Sequence, residues 1–255
     1  MIFAVRADSN HDMAKNTPPP TDILNDHALF LDFDGTLAPL QDDPHTVAMP
    51  DASFNALPGL FQALNGALAI VSGRDVRDLS SRVPQTVWRA GGHGVDICSP
   101  GEVAPPSTQS APEALTLGFD AVAEQFDGVW CEAKGPIIAV HYRQAPGTAE
   151  ALGSQLSSVL KTVDGYKLQA GKMVYEAKPL TANKGRAIEH LMRQAAFAGR
   201  IPVMFGDDVT DEDGFAVVIE MGGFAVKIGE GDSLAQYRLE TPNDVAEWLN
   251  KVNSQ

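Results

Sequence analysis

The sequence predicts an α/β protein built on a parallel sheet, with a smaller α+β unit inserted into it. Three observations lead there. Residues 28–33, 66–74 ("GALAIVSGR"), 201–208 ("IPVMFGDD") and 222–229 ("GGFAVKIG") are continuous apolar runs of strand length, which suit strands buried on both faces. Helical patterns lie between these runs, and strand–helix–strand alternation favours a parallel sheet. The middle of the chain instead repeats a helix–strand–strand unit, which is antiparallel in character.

In chain order, residues 1–27 read as a disordered lead-in that runs into Pro18-Pro19-Pro20. It carries charge early and has no apolar h-region, so it is not expected to be a secretory signal, and Met13 is a candidate start. After the first strand, Asp51 to Leu64 places Phe54, Leu57, Leu60, Phe61 and Leu64 at helical spacing, interrupted by Pro58 and Gly59. The Pro/Ser-rich stretch 99–112 is a loop. A helix (113–126), the strands "VWCEA" and "IIAVHYR", a helix (148–160) and the strands "YKLQAG" and "MVYEA" follow. Asn183 to Phe197 carries the stripe Ala187, Ile188, Leu191, Met192 and Ala195, with Gly199 as the stop. The expected organisation is a main unit of residues 28–94 and 180–255, with residues 95–179 inserted as a second domain.

Composition excludes several classes of function. The 255 residues are 44% hydrophobic and 20% charged, enough for one large or two small domains. The net charge of −14 and the absence of a Lys/Arg run argue against a nucleic-acid binder. No stretch approaches the ~20 apolar residues that span a bilayer. Cys98 and Cys131 have no metal-type spacing, and two thiols in a chain this long suit a reducing, cytoplasmic compartment. A monomer is expected.

Polar residues punctuate the strand ends. Asp32 and Asp34 follow the first run, Ser72 the second, and Asp207, Asp208 and Asp211 the third. Ligands of open parallel sheets bind beyond the carboxyl ends of strands, so these segments can converge on one site. Carboxylates without a neighbouring His suit a hard cation such as Mg²⁺. With that charge present, one Asp can attack phosphorus and form an aspartyl-phosphate.

The motifs "DFDGT" (32–36), "VSGR" (71–74), "NKG" (183–185) and "GDDVTDED" (206–213), in this order, resemble the haloacid dehalogenase superfamily of phosphatases. The resemblance covers residues 28–250 and implies a Rossmann-like core with a parallel sheet and an inserted α+β cap. It implies Asp32 as nucleophile and Asp34 as general acid and then base. Ser72 and Lys184 would hold the phosphoryl oxygens. Mg²⁺ would be bound by Asp32, the backbone carbonyl of Asp34 and Asp207, supported by Asp208 and Asp211.

The inserted segment is similar to one branch, the trehalose 6-phosphate phosphatases. "GGHGVDI" (91–97), "EAKGPIIAVHYR" (132–143) and "GKMVYEAKP" (171–179) carry the likeness. It implies a small sugar-phosphate substrate, with sugar hydroxyls bound by Glu132, Lys134, Arg143, Lys172 and Glu176, and Arg74 reaching in from the core. Paired acids and bases make strong charge-assisted hydrogen bonds to hydroxyls. Asp96 stands where Glu is usual in the branch, so no role is assigned to it. His93 and His141 are read as packing or loop-ordering residues. Two rival readings remain. One is a phosphatase of sucrose phosphate or mannosylphosphoglycerate, or a hexose phosphomutase. The other is an inactive regulatory module.

Overall fold

Strand β1 (His27–Leu31) lies at the centre of a seven-stranded sheet. Its "ALFL" run is wholly buried because neighbouring strands and helices cover both faces. A computed structural model describes residues 17–23, 26–106 and 110–255. The candidate start Met13 lies outside the described residues. Parallel strands β2 (Leu68–Val71) and β3 (Trp88–Gly91) extend the sheet on one side of β1. On the other side stand β9 (Ile201–Gly206), β10 (Phe224–Ile228) and β11 (Tyr237–Leu239), also parallel. Only β4 (Asp96–Cys98), at the edge beside β3, runs antiparallel.

Helix α1 (Asp51–Ala63) joins β1 to β2 and keeps Pro58 inside it. Helix α2 (Val76–Arg82) joins β2 to β3. Helix α5 (Lys184–Met192) leads into β9, and α6 (Val209–Glu220) joins β9 to β10. Helix α7 (Pro242–Asn253) ends the chain against α1, capped at Thr241 by a hydrogen bond from the Asp244 amide. These helices and the sheet share one apolar core, running from Leu29 and Ile70 to Phe205 and Leu249.

The middle segment forms a separate four-stranded antiparallel sheet, in the order β5 (Trp130–Lys134), β6 (Ile137–His141), β8 (Val174–Pro179), β7 (Tyr166–Gly171). Helices α3 (Glu113–Ala123) and α4 (Ala149–Leu160) cover one face, burying Leu115, Phe119, Leu152 and Leu156 against Ile138, Val140 and Ala177. Side chains alternate along a strand, so Trp130, Glu132, Lys134, His141 and Glu176 share the other face.

Two placements differ from the sequence expectation. Residues 96–98, assigned to the inserted segment, complete the edge of the larger sheet as β4. Three residues are too short a run to signal a strand. The end of the lead-in is packed: Ile23 is buried in the main core, the Arg238 amide donates to the Thr17 carbonyl, and the Trp248 indole donates to the Pro20 carbonyl. Thr17, just before the proline run, thus satisfies a donor on the open edge of β11, and Pro20 satisfies one on α7.

Candidate active site

The site lies at the carboxyl ends of adjacent strands β9, β1 and β2, where the strand order switches direction about β1. Asp32 follows β1, Ser72 follows β2 and Asp207 follows β9. The turn after Asp34 depends on Gly35. Its φ of 79° favours glycine, and a Cβ there would sit 2.0 Å from an Asp207 carboxylate oxygen.

Each residue of "NKG" has a local task. The Asn183 side-chain oxygen Oδ1 accepts the Arg186 amide at 3.1 Å and caps α5. Gly185 lets α5 approach α6, since a Cβ would lie 2.5 Å from the Asp213 carbonyl. Lys184, between them, is buried and donates from Nζ to Asp32 Oδ1 and Asp211 Oδ1, both at 2.6 Å. The second Asp211 oxygen accepts the backbone amides of Asp207 and Asp208 at 3.1 and 3.0 Å. Asp211 therefore has both oxygens engaged, whereas Asp207 Oδ1 is buried with no partner among the described residues.

These carboxylates strain against one another. Burial and the Asp211 charge raise the Asp32 pKa well above the carboxylate range, although Lys184 pulls it down. Burial and Asp211 likewise push Asp207 up to about 7. Burial disfavours the Lys184 ammonium, but Asp211 and Asp32 outweigh it and hold the lysine protonated. Oxygens of Asp32, Asp207 and Asp211 all lie within 4.8 Å of one another, a cluster able to hold a metal ion. Asp208 lines the same cavity.

Asp34, which also lines the cavity, is held on both oxygens by Arg74. The guanidinium donates from Nε and Nη2 to the two Asp34 oxygens at 2.8 and 2.6 Å, and from Nη1 to Asp78 at 2.7 Å. Nη2 also reaches the Pro44 carbonyl. Arg74, expected among the sugar contacts, is thus spent largely on holding Asp34. Asp78, four residues after Arg74 and in the first turn of α2, was not anticipated. An i, i+4 acid–base pair is the signal that could have found it. Ser72 is buried, and its Oγ accepts the Arg74 amide at 3.1 Å.

One cavity of about 820 Å³ joins these strand-end residues to the open face of the four-stranded sheet. Asp32, Asp34, Ser72, Lys184 and Asp207 line it, and so do Glu132, Lys134, Arg143, Lys172 and Glu176. Lys134 Nζ lies 3.4 Å from Glu132 and 3.9 Å from Glu176. Arg143 pairs with Asp42 of the opposite lip at 2.9 Å. Lys172 stands exposed in the β7–β8 turn.

His93 has a larger part than loop ordering. It follows β3, takes a left-handed φ of 55°, and its Nε2 lies 3.2 Å from Glu176 of the second sheet. Burial opposes ionisation of Glu176, but the His93 contact prevails and its pKa falls to about 2. His141 Nε2 similarly lies 2.8 Å from Glu132.

The trehalose-phosphatase family model matches residues 30–243. The chain is 39% identical over 236 residues to a trehalose-6-phosphate phosphatase of Escherichia coli K12, covering 89% of this chain and 87% of the relative. It is 38% identical over 210 residues to a probable trehalose-phosphate phosphatase of Sinorhizobium fredii, covering 81% and 79%. Among solved structures, the C-terminal domain of a Candida albicans trehalose-6-phosphate phosphatase superposes with a TM-score of 0.80. That match covers 94% of this chain and 99% of the other at 22% identity, a likeness of fold.

Proposed function

The chain belongs to the trehalose-phosphatase family, phosphatase hydrolases of the haloacid dehalogenase superfamily, and from that membership we propose that it hydrolyses trehalose 6-phosphate to trehalose and phosphate. One observation carries the reading. A single cavity joins an Asp–Lys–Asp cluster at the strand ends to a sheet face rich in acids and bases. The main sheet is the catalytic unit and the inserted segment the cap that reads the sugar.

Asp32 is the nucleophile. Its carboxylate oxygen bonds to phosphorus as the bond from phosphorus to the sugar oxygen breaks, leaving an aspartyl-phosphate. Asp34 delivers the proton that the departing oxygen needs. It then takes a proton from the water that attacks phosphorus, which releases phosphate and restores Asp32. Arg74 positions Asp34, and one of its two bonds to that carboxylate yields to the leaving oxygen. Lys184 and Ser72 stabilise the phosphoryl oxygens where negative charge develops.

A divalent cation fits the site on its donor chemistry. The clustered groups are all carboxylate oxygens, burial and then crowding raise the pKa of two of them, and Asp207 Oδ1 has no partner among the described residues. Asp32 and Asp207 would hold Mg²⁺ with the Asp34 carbonyl, while Asp208 and Asp211 fix the geometry. When bound, the ion offsets the negative charge shared by the carboxylates and the phosphoryl group. Glu132, Lys134, Lys172 and Glu176 bind sugar hydroxyls, and Arg143 does so from the rim. No helix among the described residues is long and apolar enough to cross a membrane. We take the protein to act as a cytoplasmic monomer.

The test is phosphate release from trehalose 6-phosphate, sucrose 6-phosphate, glucose 6-phosphate and mannosyl-3-phosphoglycerate, with Mg²⁺ and with a chelator. Strong, chelator-sensitive preference for the first is the expected result. Preference for another member would overturn the substrate, and chelator-insensitive turnover would overturn the metal.

A further inference from the structure

Trp130 is an indole left in the open at the start of edge strand β5, 45% exposed, and it lines the cavity. It alternates with Glu132 and Lys134, so all three project from the face of the second sheet that bounds the cavity. Its ring does not hang free. The cross-strand partner His141 stacks on it with centroids 4.1 Å apart and planes 21° apart. Glu132 holds His141 in turn at 2.8 Å. One face of the indole is backed by the imidazole, and the ring is oriented by a chain of contacts.

The cavity is graded by rows across the sheet. Ile137, level with Lys134, approaches the main-sheet loop, its Cδ1 lying 3.7 Å from where a Cβ on Gly92 would sit. The next row holds Glu132, Ala139, Glu176 and Gln169, with Glu176 reaching His93. Trp130, His141 and Val174 form the row beyond, about 7 Å further along the strands from Glu132. Exposed Met173, beside that row, and Leu40, on the opposite lip, also line the cavity. The floor is charged, whereas the mouth divides between the apolar surfaces of Trp130, Met173 and Leu40 and the charges of Arg143, Asp42 and Lys172.

A pyranose ring has the same division. Its hydroxyls point outward around the rim, and its C–H groups make an apolar face that suits the negative face of an aromatic ring. We propose that Trp130, braced by His141, is the stacking platform for the sugar ring that carries no phosphate, and so selects a disaccharide phosphate over a monosaccharide phosphate. The inference rests on the substrate reading above and adds a residue to it. Acids and bases alone bind hydroxyls of any sugar, whereas a flat apolar wall rewards a second ring of the right length and face.

The experiment measures kcat and KM of the wild type, Trp130→Ala and Trp130→Phe on trehalose 6-phosphate and on acetyl phosphate, which has no ring to stack. Trp130→Ala is expected to raise KM for trehalose 6-phosphate roughly tenfold, with kcat within about twofold. Trp130→Phe should restore most of the affinity, and acetyl phosphate turnover should be unchanged in both variants. An unchanged KM for trehalose 6-phosphate in Trp130→Ala, or equal losses on the two substrates, overturns the platform while leaving the substrate reading intact. A wild type that turns over acetyl phosphate but not trehalose 6-phosphate overturns the substrate reading, and the platform falls with it.

Discussion

The two walls of the cavity are built on opposite principles. At the strand ends, Asp32, Lys184 and Asp211 come from three distant parts of the chain, are buried, and interlock through charge-assisted bonds of 2.6 Å. On the second sheet, Glu132, Lys134 and His141 come from one hairpin and stay partly exposed, and the lysine contacts lengthen to 3.4 and 3.9 Å. The difference suits the roles proposed for each wall. Stabilising a transferring phosphoryl group requires charges fixed before the substrate arrives. Admitting and releasing a sugar requires polar groups that can exchange partners.

That contrast can be broken by substitution. The largest effect is expected from Asp32→Asn, which should lower turnover at least about a thousandfold with no loss of fold, as circular dichroism and phosphate release would report. Residual activity near wild type would remove Asp32 from its role. Lys184→Ala should follow, because it leaves two buried carboxylates facing each other. A loss of ~3–5 kcal/mol in urea denaturation is expected, shrinking when a divalent cation is added. A loss below about 1 kcal/mol would mean that the cluster is not mutually dependent.

Between the walls, the His93–Glu176 contact should show in acid. The folded pKa of Glu176, about 2, lies below its ordinary 4.5. Its contribution is therefore fully present above pH 4.5 and is lost as pH falls from 4.5 towards 2. Wild type should exceed Glu176→Gln in Tm at pH 6 by several degrees, roughly 1–2 kcal/mol, with the gap narrowing below pH 4.5 and closing only below about pH 2. A constant gap across that range would contradict the assignment. The smallest effect is expected from Arg143→Ala. The Arg143–Asp42 pair is exposed on both sides, so stability should change by less than about 0.5 kcal/mol.

Strands β1, β2, β9 and β10 were legible because continuous apolar runs have one common explanation in an α/β chain, whereas β3, with Trp88 and Arg89 in it, makes no such run. The carboxylates were legible because they punctuate those runs. Elements that rest on tertiary contact were not: β4 and β11 are three residues each and exist by pairing with β3 and β10. Pro58 hid the continuity of α1, which packs against α7. At the site, sequence order could list Arg74 and Asp34 but not join them, since the bond spans 40 residues and depends on how the turn after β1 folds back. Trp130 escaped notice because its meaning lies in its partner across the hairpin, His141.

The division of labour between the walls is tested most directly by kcat/KM of Glu132→Ala on trehalose 6-phosphate and on p-nitrophenyl phosphate. Glu132 lines the cavity on the second sheet and touches His141 and Lys134, none of which belongs to the strand-end cluster. The predicted result is a loss of about a hundredfold on the disaccharide and less than about threefold on the aryl ester. Equal losses on both substrates would contradict it, because the second wall would then serve the chemistry and not the sugar.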